Sequence, residues 1–396
     1  MKFQLVINME RMSLDVDMCS VKKHALEMVQ MADAGGFEIV WAAEHYGIEM
    51  TIAPNPFQIL TWFAAHTERI RLGTAVVVAA YSHPIRVAGQ AALLDLYSNG
   101  RLEFGIGSGA YQWEFDRMKP GLKQQQAYRY VQEMLPVVKA LWQGDCAHTG
   151  EFWQFPTATS VPKPLQKPHP PIWLAARAPV TFDFAVKNNC NIMSWALTRP
   201  FSEVETYMAR FKCALNEHPT SAKPLFATMR QTAVYPKPED ATPYLDALIT
   251  KSGRFENLFK NLADVKNGFP ETVTLEKLST RHEFDRDELQ TNLMFGTPDV
   301  IINKLQAYQA LGVDHYIYNA SYGLDMARQK LSLQLFIDEV MPAFQRYEAT
   351  PRAPHISKTT LNALIEQLSA SGKAIQLADS PIFDVNRWKE RNELVL

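Results

Sequence analysis

The chain has 396 residues, of which 47% are hydrophobic and 21% charged, and a formal net charge of -2. That length and apolar content can bury a substantial core, while near-neutrality with dispersed basic residues excludes the basic stripe of a nucleic-acid binder. The segment Met1-Lys-Phe-Gln-Leu-Val-Ile-Asn8 lacks a signal-peptide pattern and no apolar run is long enough to span a bilayer, so a cytoplasmic protein without membrane association is expected.

Lys2 to Met9 reads as a strand, followed by a helical pattern with apolar residues at Val21, Ala25, Met28, Val29 and Ala32 that Gly35-Gly36 stops. Phe37 to Trp41 is a second strand, Phe57 to Ala65 a helix, Arg71 to Val78 a third strand, and Ile85 to Tyr97 a helix closed by Asn99-Gly100. Leu102 to Ile106 gives the fourth strand and Gln124 to Trp142 a long helix; Pro171 to Ala175 is the fifth strand and Thr181 to Asn188 its helix. Asn191 to Trp195, Phe226 to Val234 and His315 to Asn319 complete eight strands, with helices over Glu203 to Asn216, Asp299 to Leu311 and Met326 to Tyr347.

Eight alternating strand and helix units predict the α/β class and a (β/α)8 TIM barrel with insertions. The alternative, a doubly wound open sheet, would ordinarily divide at this length, and no Gly/Ser-rich linker is present. The predicted organisation is a barrel domain over 1–348, with insertions at about 147–170 and 236–293, and a C-terminal extension over 349–396. Insertions of this length in a compact domain are usually lids or binding loops. The first holds a hairpin-like His-Thr-Gly-Glu-Phe-Trp; the extension carries a short helical pattern, Thr360 to Leu368, suited to packing on the barrel or a neighbouring subunit.

A barrel displays reactive groups at the carboxyl ends of its strands. Those positions are Glu44 and His45 after the second strand, His83 after the third, Gly107, Ser108 and Tyr111 after the fourth, Arg177 after the fifth and Trp195 at the end of the sixth. His45 suits a general base or hydrogen-bond donor, or a structural histidine paired with Glu44. His83, just before Pro84, suits either a catalytic or a loop-bonding role. Neither lies in HExxH, and Cys19, Cys146, Cys190 and Cys213 show no metal spacing, so free thiols and no metal are expected. Gly105-Ile-Gly-Ser-Gly109 would let a flat or anionic ligand approach the backbone closely, but it is not the dinucleotide fingerprint. Arg177 precedes a helix start marked by Pro179 and Thr181, a combination suited to a phosphate or, alternatively, to a surface ion pair. Tyr111, Trp113, Phe115 and Trp195 either wall an apolar pocket for a ring or belong to the core.

The segments Phe37-Glu-Ile-Val-Trp-Ala-Ala-Glu-His45, Ile70-Arg-Leu-Gly-Thr-Ala-Val-Val77, Ser82-His-Pro-Ile-Arg86, Leu94-Asp95, Asn99-Gly-Arg-Leu-Glu-Phe-Gly-Ile-Gly-Ser-Gly-Ala-Tyr111, Phe295-Gly-Thr-Pro298 and Glu339-Val-Met-Pro342 resemble, in that order, the luciferase-like, flavin-dependent monooxygenases, including the α subunit of bacterial luciferase. The resemblance implies a dimeric barrel enzyme. It would receive reduced FMN from a separate reductase and use O2, through a flavin hydroperoxide, to oxygenate a small organic substrate. It also implies that His45 serves the flavin-oxygen site; Glu44 and His83 are expected to assist in orientation. A non-proline cis peptide at Ala75-Val76 would lie against the flavin ring, and Arg177, Thr181 and Tyr111 near its phosphate. Gly107 and Ser108 replace a reactive cysteine and a phosphate-binding arginine of luciferase, so the phosphate grip is expected to move to Arg177. The alternatives are a deazaflavin- or flavin-dependent hydride-transfer enzyme of the same fold and a flavin-binding protein without catalysis.

Overall fold

The structure is a computed structural model that describes residues 1–219, 223–260, 264–271 and 285–344. Strands β1 (Lys2–Val6), β2 (Ile39–Ala42), β3 (Arg71–Thr74), β4 (Leu102–Gly107), β5 (Ile172–Ala175), β6 (Asn191–Trp195), β7 (Phe226–Val234) and β8 (His315–Asn319) pair in parallel, each with the next. The ring closes where Lys2 of β1 pairs with His315 of β8. Each barrel strand leads into at least one helix, so the fold is the expected (β/α)8 barrel. The barrel lies within a unit spanning Met1–Gln345; the second unit, Arg346–Leu396, which includes the helical pattern expected over 360–368, lies outside the described residues.

The helices are α1 (Met18–Gly35), α2 (Pro56–Ala64), α3 (Pro84–Tyr97), α4 (Gln112–Met118), α5 (Tyr128–Gln143), α6 (Pro179–Lys187), α7 (Phe201–Glu217), α8 (Ala241–Lys260), α9 (Arg286–Asn292), α10 (Pro298–Leu311) and α11 (Met326–Leu335). Helix α1 shows how local chemistry sets its ends. The Asp17 side chain accepts the Ser20 N–H, Gly36 closes the helix with φ 87°, and Val21, Ala25, Met28, Val29 and Ala32 form its buried stripe.

Four expectations need correction. The strand expected over Arg71 to Val78 breaks at the cis peptide Ala75-Val76 and resumes as Val77–Val78, which pairs with Ile106 and Gly107 of β4. The long helix expected from Gln124 begins at Tyr128, because Gln124 is drawn back toward the barrel mouth: its N–H donates to Gln112 Oε1 at 2.9 Å and its side chain to the Gly109 carbonyl at 2.9 Å. Helix α4, in the connection after β4, was not expected at all. The helix expected over Met326 to Tyr347 keeps its α form only to Leu335, then passes into a π turn, Phe336–Val340, and a 3-10 turn, Met341–Phe344, where Pro342 lacks the N–H that an α-helix needs.

Inside the barrel, Val6, Ile39, Trp41, Trp173, Met193, Ala227 and Ile317 pack together. Below them lies a satisfied polar floor. Trp41 Nε1 donates to Gln4 Oε1 at 2.8 Å, Gln4 Nε2 lies 2.5 Å from His315 Nδ1, and Trp173 Nε1 donates to Glu103 Oε2 at 2.6 Å. Burial holds the His315 imidazole down to about 4, so it stays neutral and accepts from Gln4. The first insertion contains the expected hairpin, Cys146–Thr149 with Gln154–Ala158. The second contributes α8, a small hairpin (Val265–Lys266 with Phe269–Pro270) and α9.

Candidate active site

The first wall of the mouth is made by β2 and the segment after β3. Glu44 is buried and both its oxygens are used: one accepts the Tyr46 hydroxyl at 2.5 Å, the other the Val78 N–H at 2.6 Å. Burial raises its pKa, against the pull of those two hydrogen bonds. Glu44 therefore ties the end of β2 to the segment after the cis peptide, which is a positioning role. The same segment needs the glycines of β4. The Thr74 hydroxyl lies 2.7 Å from the Gly105 carbonyl and 2.9 Å from its N–H, and a Cβ on Gly105 would lie 1.8 Å from the Thr74 carbonyl oxygen. A Cβ on Gly107 would lie 2.7 Å from Val76 Cγ2. Removing two side chains lets Ala75 and Val76 lean over the barrel interior, where they pack beside Trp41 and Trp173. Ser108 follows this shelf, and Gly109 turns the chain at φ 80° toward α4.

His45 stands beside the shelf and is held from two directions. Its Nδ1 lies 3.1 and 3.2 Å from the two oxygens of Glu114, and its ring stacks on Tyr111 with centroids 5.0 Å apart and planes at 28°. Glu114, 1% exposed, also accepts the Tyr46 N–H at 2.8 Å. This carboxylate, on the unexpected helix α4, is the functional candidate that sequence reasoning missed. The available signal was an acidic residue between Trp113 and Phe115, which would need a partner once buried. With Nδ1 facing Glu114, Nε2 is the nitrogen available to a ligand.

Tyr111 is sandwiched between His45 and Phe255 of α8, whose ring lies 5.9 Å away, and burial pushes its hydroxyl far above the ordinary tyrosine range. Trp113 joins Ile48, Met50, Tyr111 and Leu258 in an apolar cluster, with the Arg117 guanidinium 3.7 Å over its ring. Phe115 is fully buried, its ring tilted against that of Tyr81 with centroids 5.0 Å apart.

The remaining expected residues divide. Arg177 is exposed, and its charge opposes the rise in the Tyr111 pKa, which places the two near one another. It precedes α6, whose N-cap Ala178 supplies no side-chain cap; Thr181 turns its hydroxyl to the Ala178 carbonyl at 2.6 Å. Pro179 has no N–H and the Thr181 N–H already donates to the Ala178 carbonyl at 2.9 Å, so Val180 is the first-turn amide left to face a phosphate beside the arginine. His83 is engaged elsewhere. As N-cap of α3 its Nδ1 accepts the Ile85 N–H at 3.3 Å, and its ring meets Phe155 of the first hairpin at 5.4 Å, so it contacts neither His45 nor Glu114. Burial, and after it the Arg86 charge, lowers its pKa, the direction that suits a ring nitrogen accepting a hydrogen bond. Trp195 ends β6 at the mouth, and its Nε1 is buried with no partner among the described residues.

Together, an oriented histidine, a shelf of small residues and an uncapped helix start can bind a flat, phosphate-bearing cofactor and manage one proton beside it. The family described as luciferase-like monooxygenase matches residues 1–315. The oxygenase component of the flavin-dependent trigonelline monooxygenase of Acinetobacter baylyi is 39% identical over 357 residues, which cover 90% of this chain and 99% of that one. The FMNH2-dependent dimethylsulfone monooxygenase of Pseudomonas putida is 28% identical over 321 residues, covering 77% of this chain and 83% of that one. Among solved structures, the monooxygenase RslO1 from Streptomyces bottropensis superposes with a TM-score of 0.71 at 22% identity, over 87% of this chain and 100% of that one, which supports the fold.

Proposed function

The chain belongs to the luciferase-like monooxygenases, and we propose that it is the oxygenase half of a two-component system in which His45, oriented by Glu114, manages the proton of the oxygen-transfer step. It is a flavin-dependent monooxygenase that uses reduced FMN and O2. The observation that carries the residue-level reading is the His45–Glu114 contact beside the Ala75–Val76 shelf. When bound, reduced FMN supplies the two electrons that activate O2. The chain's own residues do the rest. Glu114 holds the Nδ1 proton of His45, leaving Nε2 to accept or return a proton at the mouth. Tyr111, Trp113 and Phe255 exclude water, and Ala75, Val76, Gly107 and Ser108 form the surface for the ring. Arg177 and the start of α6 hold the phosphate, with Thr181 fixing the turn.

We take the substrate to be a small planar nitrogen heterocycle, the class to which the A. baylyi relative's named substrate belongs; the aromatic walls of the mouth support it. A separate reductase supplies FMNH2. The protein acts as a homodimer in the cytoplasm, a reading supported by two observations. Leu93, Leu96 and Tyr97 form an exposed apolar stripe on α3, and all four cysteines are free thiols. Among the described residues no helix is long and apolar enough to cross a membrane.

The test is anaerobic binding of FMNH2, followed by addition of 18O2 with trigonelline and related pyridinium carboxylates. The wild-type protein should transfer labelled oxygen to one of them. His45→Ala should bind FMNH2 equally well but divert its electrons to H2O2. Preferential binding of a reduced deazaflavin, or equal oxygen transfer by His45→Ala, would overturn the reading.

A further inference from the structure

The inward-facing rows of the barrel change character at the mouth. Two residues beyond Trp41, Gly73, Gly105 and Trp173 on β2 to β5 stand Ala43, Ala75, Gly107 and Ala175, all small. Two residues beyond Met193, Met229, Ile317 and Val6, on β6, β7, β8 and β1, stand Trp195, Gln231, Asn319 and Asn8, all able to hydrogen-bond. These four strands are consecutive: Trp195 pairs with Met229, Gln231 with Asn319, and Asn319 with Val6. One half of the mouth is therefore a bare shelf and the other a polar wall.

Three atoms of that wall are buried without a partner among the described residues: Trp195 Nε1, Gln231 Oε1 and Asn8 Oδ1. Gln231 is only 8% exposed. Unmade hydrogen bonds at buried positions are costly and are retained where a ligand completes them. The set comprises one fixed donor, the indole N–H, and two amide groups that offer an oxygen.

We propose that this wall reads a carbonyl with a neighbouring N–H, in the ring or on a substituent of a heterocyclic ligand, the carbonyl accepting from Trp195 and the N–H donating to Gln231 or Asn8. The proposal rests on the flavin-dependent reading above. That edge chemistry has two sources, the pyrimidine edge of the flavin itself and a carboxamide on the substrate.

The experiment separates them. FMNH2 and its 3-methyl analogue, which lacks the N3–H, are titrated anaerobically into wild-type protein, Gln231→Leu and Trp195→Phe; 1-methylnicotinamide and its N,N-dimethylamide are titrated into the FMN-loaded proteins. If the flavin is read, 3-methylation weakens wild-type binding about tenfold or more, this discrimination collapses in Gln231→Leu, and Trp195→Phe, which loses the donor to the carbonyl, weakens binding of FMNH2 itself about tenfold. If the substrate is read, flavin affinity is unchanged and discrimination between the two amides collapses instead. The idea is wrong if wild type shows neither discrimination, or if Gln231→Leu retains it and Trp195→Phe binds both ligands as wild type does. Trp195→Phe keeps an aromatic ring at this position and removes the donor, so a folding failure of Gln231→Leu leaves the Trp195 arm of the test intact. Failure of wild type to bind FMNH2 at all would instead refute the functional reading.

Discussion

Glu114→Gln tests whether the buried carboxylate orients His45. The glutamine side chain is nearly the same shape, so its oxygen can still accept the Tyr46 N–H that lies 2.8 Å from Glu114 Oε1. What changes is the second contact, the 3.1 Å approach to His45 Nδ1. A carboxylate can only accept there, which fixes the proton on Nδ1 and leaves Nε2 a lone pair. With its oxygen committed to Tyr46, the amide presents its NH2 to Nδ1 and shifts the proton to Nε2, giving the wrong tautomer. Mis-set tautomers in other enzymes cost up to about 10⁴-fold in kcat, and loss of one acid-base group about 10²–10⁴-fold, so a fall of at least about 100-fold in oxygen transfer is expected. Loss of a charge-assisted hydrogen bond should cost about 1.5–3 kcal/mol of stability, and FMNH2 affinity should hardly move. Stopped-flow turnover with parallel H2O2 measurement is the assay, run on both single variants and on the double variant with His45→Ala. Because the two groups act as a unit, the double variant should be no slower than His45→Ala alone. Additive losses, or a Glu114→Gln enzyme within about threefold of wild type, would refute the orientation argument.

Gly105→Ala places a methyl 1.8 Å from the Thr74 carbonyl oxygen, a backbone atom that cannot rotate away. The expected loss is about 1–3 kcal/mol or more, read in a urea melt, together with weaker FMNH2 binding as Ala75 and Val76 shift; an unchanged midpoint would show that the segment is slack. His315 is held near 4 by burial against an ordinary 6.5, so only the unfolded chain gains its proton as pH falls from 6.5 toward 4. Its share of stability is constant above about 6.5 and falls by about 3 kcal/mol on the way down. Buried Glu44 and Glu103, with raised pKa values, oppose that trend, so the measurement is the difference in slope between wild type and His315→Asn, and equal slopes would disprove it. Arg177→Ala should weaken FMN binding about tenfold and leave riboflavin unchanged in parallel titrations, since only FMN carries the phosphate. Tyr97→Glu, which charges the most exposed residue of the α3 stripe at 58% exposure, should shift the protein toward monomer in light scattering if that stripe is the dimer surface.

How much was legible depended on whether the determining partner was near in sequence. Strands β6, β7 and β8 appear with the expected ends because each is a short run bounded by its own turn residues. Helix α1 stops where Gly36 lets it. The cis peptide was placed at Ala75–Val76 only through the family resemblance; periodicity alone ran the strand to Val78, because the close approach of Thr74 just before the break is permitted by Gly105, on the next strand. Glu114 went unnoticed for the same reason. Its partner His45 lies 69 positions away, and between Trp113 and Phe115 the carboxylate reads as one polar residue in an aromatic loop. His83 shows the opposite case: Pro84 at a helix start makes it a cap, a local explanation sufficient for its geometry.

The histidine's geometry also explains why the second insertion belongs to the site. Glu114 constrains His45 in the plane of its ring, and Tyr111 constrains it across the face, so together they give Nε2 one direction. Tyr111 in turn is backed by Phe255 of α8, and α8 is seated by Lys251, which pairs with Glu10 after β1 and donates to the Ser321 carbonyl after β8 at 3.1 Å. Lys251 and Glu10 are both almost fully buried, and a buried ion pair contributes little net stability compared with apolar packing of the same volume. What it contributes is a single acceptable docking position, since displacing α8 would leave both buried groups without a partner; burial alone already pulls the Lys251 amine down to about 7. The chain of contacts from Glu10 through Lys251, Phe255 and Tyr111 to His45 thus ties the orientation of that imidazole to the packing of α8.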